Sequence, residues 1–238
     1  MDKRILCVRH GDGPMDDRIT TWGGANGVRI DARRPWRGDT LGEVTDDLAG
    51  VVVYGGNYNA YDSDKHPFLR EEYRMIDAAL KADVPLLGLC QGAQMIAHHM
   101  GAFAGAPDHG IHEFGYYEVT PTTAGQTVLP QPMHFTQAHF HTFGIPDGAT
   151  HLARSAHFEN QAFSVGNRVM AFQFHPEQTI AGFQRWQARG DDWGRYGLPG
   201  VQDKDVQTAL MLEHDAAQGA WFTAFLDRFF GAAVSAWT

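Results

Sequence analysis

The chain has 238 residues, 43% of them hydrophobic and 20% charged, enough to bury the core of one globular domain and too few for two large ones. A formal net charge of −9, with no basic run or basic-aromatic stripe, argues against nucleic acid or an anionic membrane surface as a partner. Two cysteines rule out a disulfide scaffold, no apolar run approaches a membrane span, and Met1–Val8 lacks a signal-peptide core, so a soluble cytoplasmic protein is expected.

Ile5–Val8 reads as a buried strand, with Cys7 a small apolar residue inside it. A Gly- and Asp-rich loop covers Gly11 to Asp17, a shorter strand Val28–Asp31, and a polar loop Arg33 to Thr40. Gly50–Tyr54 is a β-branched strand ending at Gly55-Gly56. Pro67 opens a helix carrying Phe68, Leu69, Tyr73, Ile76, Ala79 and Leu80 at helical spacing. Leu86–Leu89 is the next strand, and Gln91–Met100 a helix stopped by Gly101. Strand alternating with helix predicts an α/β fold, a mostly parallel central sheet flanked by helices on both faces.

Beyond Glu113 the strand-like runs Tyr116–Thr120, Gln161–Val165 and Val169–Phe174 are separated by turns and predict antiparallel additions. Arg189 to Asp203 reads as an exposed loop. Asp205 to Phe230 has helical periodicity, with Val206, Leu210, Ala217, Trp221, Phe225 and Phe229 as its apolar stripe and Asp205, Glu213, Asp215, Gln218 and Arg228 largely off it. Trp221, Phe225 and Phe229 suit either the core or an oligomer interface. The expected organisation is one domain over 1–238, with a core of about 5–180 and a helical extension over 181–238.

The chemistry centres on Gly88-Leu89-Cys90-Gln91-Gly92-Ala93-Gln94. An apolar strand runs into a cysteine bracketed by glycines, and a helix follows. Such an elbow exposes a nucleophile at a strand's C-terminal end, where the helix dipole and free N–H groups favour a thiolate. The base it needs is offered by Phe172-Gln173-Phe174-His175-Pro176-Glu177. Pro176 keeps His175 extended, so the strand should reach it, and Glu177, two residues on, could orient the imidazole. Plainer readings stand beside these: a structural thiol at Cys90, a satisfied strand-end His175, a helix-capping Glu177, ordinary turn glycines at Gly55 and Gly56, and a surface Gln94. Close histidine pairs (His98-His99, His109 and His112, His139 and His141) have no metal-ligand companions such as H-E-x-x-H, and no metal is expected.

The two segments together resemble the class I, triad-type glutamine amidotransferases, whose elbow is G-x-C-x-G-x-Q and whose histidine segment is typically Q-F-H-P-E. Tyr54-Gly55-Gly56 is similar to the family's glycine turn, and Glu113-Phe114-Gly115-Tyr116 to its E-x-G-[WY] segment. His139, Thr142, Phe143 and Pro146 fall where many stand-alone members carry H-x-D-T-F-x-x-P. The resemblance spans about Ile5 to Ile180. It implies a flavodoxin-like fold and a glutaminase reaction, with Cys90 as nucleophile, His175 as base and acid, and Glu177 as its orienter. It further implies an oxyanion hole from the N–H groups of Gly56 and Gln91, and substrate contacts from Gly55, Gln94, His139 and His141. No cofactor is implied. The ammonia would pass to a partner synthase subunit or to solution. His141 stands where the family commonly has Asp, and the sequence holds no P-loop. Two rivals follow: a γ-glutamyl peptidase acting on a γ-glutamyl conjugate, and a silent scaffold on the same fold.

Overall fold

The computed structural model of the chain describes residues 3–235. Its order is β1 (Arg4–Val8), α1 (Arg18–Ala25), β2 (Arg29–Arg33), β3 (Leu48–Val53), α2 (Phe68–Lys81), β4 (Leu86–Leu89) and α3 (Gln91–His99), then β5 (Ala104–Gly105), β6 (Glu113–Pro121), β7 (Met133–His139), β8 (Thr142–Phe143), β9 (Thr150–Ser155), β10 (Ala162–Val165) and β11 (Val169–Phe172), and last α4 (Ile180–Gln187), α5 (Asp191–Gly194) and α6 (Lys204–Ser235). Nine strands form one sheet in the order β2-β1-β3-β4-β11-β10-β9-β6-β7, with β5 and β8 paired apart from it. The run from β2 to β11 is parallel and the remainder antiparallel.

The strand period of two explains the two cores. On β1, Ile5 and Cys7 point to the face covered by α1 and α6, where Trp22, Phe222 and Phe230 pack. Leu6 and Val8 point to the other face, against Met75 and Ile76 of α2 and Ile96 of α3. A third cluster gathers Phe114, Tyr116, Phe183 and Met211, with Trp186 and Trp193 at its edge. The protein therefore has the doubly covered α/β architecture that the strand–helix alternation predicts. Among the described residues no helix is long and apolar enough to cross a membrane.

Three local expectations change, and one element is added. The loop Gly11 to Asp17 is as expected; α1 follows it, where no element was predicted, and Asp17 caps it by accepting the N–H groups of Ile19 and Thr20, each at 3.0 Å. The strand leading to His175 stops at Phe172, because the chain leaves β4 there: the Gln173 N–H donates to Gln161 O and the His175 N–H to Thr136 O, each at 2.8 Å. The stretch from Arg189 to Asp203 is not simply an exposed loop; it contains α5, and Trp193, Arg195 and Val201 wall a cavity. On α6 the buried face is rotated from the predicted stripe. Val206 is 46% exposed and Ala217 is exposed, whereas Gln207 and Gln218 are fully buried beside Met211, Phe222 and Leu226. Gln218 Oε1 accepts the Thr136 N–H at 2.7 Å, and Gln207 Nε2 donates to Phe114 O at 3.0 Å. Buried glutamines that satisfy backbone groups break a pattern counted only in apolar residues.

Candidate active site

The register between β4 and β11 assembles the site. Leu89 pairs with Phe172, and the Cys90 N–H extends that ladder by donating to Phe172 O at 2.8 Å. Cys90 is thus one residue beyond its strand, and His175 three beyond the neighbouring one. Cys90 has φ 50° and ψ −106°, an uncommon conformation for a residue with a Cβ and the mark of a sharp strand-to-helix turn. The turn is so tight that a Cβ on Gly92 would lie 2.0 Å from Val53 O. Gly55 is constrained as strongly: a Cβ there would lie 2.6 Å from His175 Cε1 and 3.3 Å from Cys90 Cβ, so both side chains flank one point. The Cys90 thiol also reaches Ala138 O at 3.9 Å.

His175 Nδ1 and Glu177 Oε1 are 2.8 Å apart, both groups buried. Burial alone would push the imidazole down. The charges of Glu177 and Cys90 and the hydrogen bonds to both overcome it, and His175 is pushed up from its ordinary 6.5 to about 10. Trp186 stands edge-on to the ring with centroids 4.8 Å apart. Glu177 does not cap the next helix, since Thr179 Oγ1 accepts the Gly182 N–H of α4 at 3.1 Å.

Gly56 and Gln91 line the same cavity as Cys90. Neither N–H has an acceptor among the described residues, Gln91 being the first residue of α3. Gln94 is 4% exposed, and its Nε2 donates to Gln173 Oε1 at 3.1 Å and to His141 O at 3.3 Å. With Glu113, His139, His141 and Arg195 it lines a cavity of about 270 Å³ that opens at Cys90. His139 Nδ1 meets His141 O at 2.9 Å and its Nε2 meets Glu113 Oε2 at 3.1 Å. Glu113 is fully buried and also accepts from Ser155 Oγ and Gln161 Nε2. His141 is pushed down, by burial first and then by the charge of Arg195. A second cavity of about 280 Å³ also reaches Cys90; it shares Gly56, Asn57, Ala138 and Trp193 with the first and adds Gly55, His175, Glu177, Trp186 and Arg189 among others.

The structure thus brings every predicted site residue to the surroundings of Cys90. It adds a group that the sequence reading did not single out. His10 and Glu72, both side chains fully buried, pair at 2.9 Å behind the glycine turn, and His10 Nδ1 lies 3.3 Å from Gly55 O. Gln91 joins them, its Nε2 3.3 Å from His10 Nε2 and its Oε1 accepting the Tyr58 N–H at 2.9 Å. The signal was present in α2: a carboxylate at Glu72 on the same face as Leu69, Met75, Ile76 and Ala79. Arg195 and Trp193 gave none, because a Gly- and Asp-rich stretch does not reveal what it packs over.

Residues 27–185 match the sequence profile of the family described as glutamine amidotransferase class-I. The chain belongs to that family. The glutamine amidotransferase-like protein YfeJ of Salmonella typhimurium is 32% identical over 189 residues, covering 74% of this chain and 77% of that one. A glutamine-hydrolysing GMP synthase from Porphyromonas gingivalis is 30% identical over 142 residues, covering 58% of this chain and only 26% of that protein. Among solved structures, a glutamine amidotransferase from Thermotoga maritima superposes with a TM-score of 0.86 at 26% identity, covering 97% of this family member and 99% of that chain.

Proposed function

We propose that the protein hydrolyses the γ-amide of a glutamyl substrate, glutamine in the simplest case, through a thioester on Cys90. The observation that carries the reading is the buried His175–Glu177 pair at 2.8 Å, set beside a cysteine held at positive φ. The Cys90 thiolate attacks the amide carbon while His175 holds the thiol's proton. The oxygen becomes an oxyanion between the N–H groups of Gly56 and Gln91, and losing one such donor typically costs about 3 kcal/mol. The C–N bond breaks as His175 passes its proton to the leaving nitrogen, and Glu177 stabilises the imidazolium meanwhile. Water, deprotonated by His175, then cleaves the thioester. Gln94, His139 and His141 bind the glutamyl part, and Gly55 leaves room for the imidazole and thiol to meet.

The GMP synthase relative, named as glutamine-hydrolysing, supports glutamine as donor and a synthase as one destination for ammonia. The test is intact-mass spectrometry after rapid quenching with glutamine. A γ-glutamyl adduct on the wild type, absent from Cys90→Ala, is expected; hydrolysis surviving in a folded Cys90→Ala protein would sink the reading.

A further inference from the structure

The proposed reaction has a direction across Cys90. His175 gives its proton to the departing nitrogen, so that nitrogen and whatever it carries must lie on the side that His175 faces. His175 lines only the second cavity, the one without Gln94 and His139. At about 280 Å³ it matches the glutamyl cavity in size. Ammonia, close to water in size, needs roughly 30 Å³. The room on the leaving side is far more than that.

The cations of this cavity differ in how they are engaged. Arg9 is paired with Asp17 at 3.0 Å and Arg185 with Asp16 at 2.6 Å. Arg189 has no acidic partner among the described residues; its guanidinium lies 4.9 Å from the Trp193 ring centroid. An arginine stacked on an aromatic ring keeps its fork of N–H donors free for a carboxylate, which it binds through two parallel hydrogen bonds.

We propose that the cavity beside His175 is a leaving-group site in which Arg189 receives a carboxylate, so that the substrate is a γ-glutamyl conjugate of an amine bearing an anionic group, such as a γ-glutamyl amino acid. This rests on the Cys90 thioester chemistry and adds the identity of the amine. Cys90 Sγ bonds to the γ-carbon, the C–N bond breaks, and the amino acid leaves with the proton of His175 while its carboxylate pairs with Arg189. Water then breaks the C–S bond, restoring the thiol and releasing glutamate.

The experiment compares kcat/KM for γ-glutamylglycine, γ-glutamyl ethylamide and the γ-glutamyl conjugate of ethylenediamine in the wild type, Arg189→Gln and Arg189→Glu. Arg189 is exposed, so neither variant empties a buried position. The wild type should prefer the glycine conjugate to the ethylamide by about tenfold or more, the worth of one charge-assisted pair. Arg189→Gln should collapse that ratio, and Arg189→Glu should turn the preference toward the ethylenediamine conjugate. Equal wild-type constants for the glycine conjugate and the ethylamide, or a preference that neither variant moves, would overturn the leaving-group site. Quenched mass spectrometry separates the two levels: a Cys90 adduct from glutamine but none from γ-glutamylglycine refutes this inference alone, and no adduct from any donor refutes the thioester chemistry with it.

Discussion

The two cysteines have opposite surroundings. Cys7 is fully buried in β1, and burial, then the nearby charge of Asp17, pushes its thiol far up, leaving an inert apolar group. Cys90 sits at φ 50° beside an imidazole that holds its proton to about pH 10. Backbone strain of this kind costs about 1–3 kcal/mol and persists only where the surroundings enforce it. The raised value of His175 has a consequence for stability. The folded protein keeps a proton that the unfolded chain releases above its ordinary 6.5, so stabilisation is full below that pH and is lost as pH rises through about 10. Glu177→Gln should therefore lower the Tm most near pH 6 and least near pH 10; melting curves showing a constant gap would remove Glu177 as the cause. In steady-state kinetics the same variant should reduce kcat less than His175→Ala, as an orienting group does beside the base itself.

At the scale of elements, what was legible and what was not have separate physical origins. Leu86–Leu89 and its elbow could be read because the apolar run, the glycines and the helix signal all agree locally. β7 and β9 could not: Met133–His139 and Thr150–Ser155 mix polar and apolar residues without a regular alternation, so no period of two stands out. Cys90, His175 and Glu177 were nameable from their motifs, but their juxtaposition depends on the β4–β11 register, which periodicity does not encode. The buried face of α6 departs from the apolar stripe because Gln218 occupies a core position. Its Oε1 serves Thr136 and its Nε2 donates to Gln178 O at 3.2 Å. Gln218→Leu should thus leave the Thr136 N–H buried without an acceptor, at a cost of about 1–3 kcal/mol. Urea unfolding would measure it, and a stability within error of the wild type would show that the helix docks through its apolar residues alone.

Across the whole molecule, the site draws on distant parts of one chain: the glycine turn after β3, the elbow after β4, the segment after β11 and the α5 region. Cys90, His175 and the N–H groups of Gly56 and Gln91, on which the proposed reaction draws, all belong to that single chain. The protein should therefore release ammonia from glutamine without any added synthase. A coupled ammonia assay on the purified chain checks this, and turnover that appears only with a partner would mean that the partner completes the site. α6 is synthesised after everything it fastens. Gln218 grips Thr136, whose carbonyl holds the His175 backbone, and Asp215 takes Arg18, whose N–H anchors to Glu177 O. A nascent chain with α6 still inside the ribosome carries all the reactive groups and none of this clamp. These contacts to the His175–Glu177 segment can therefore form only once the last helix has left the ribosome.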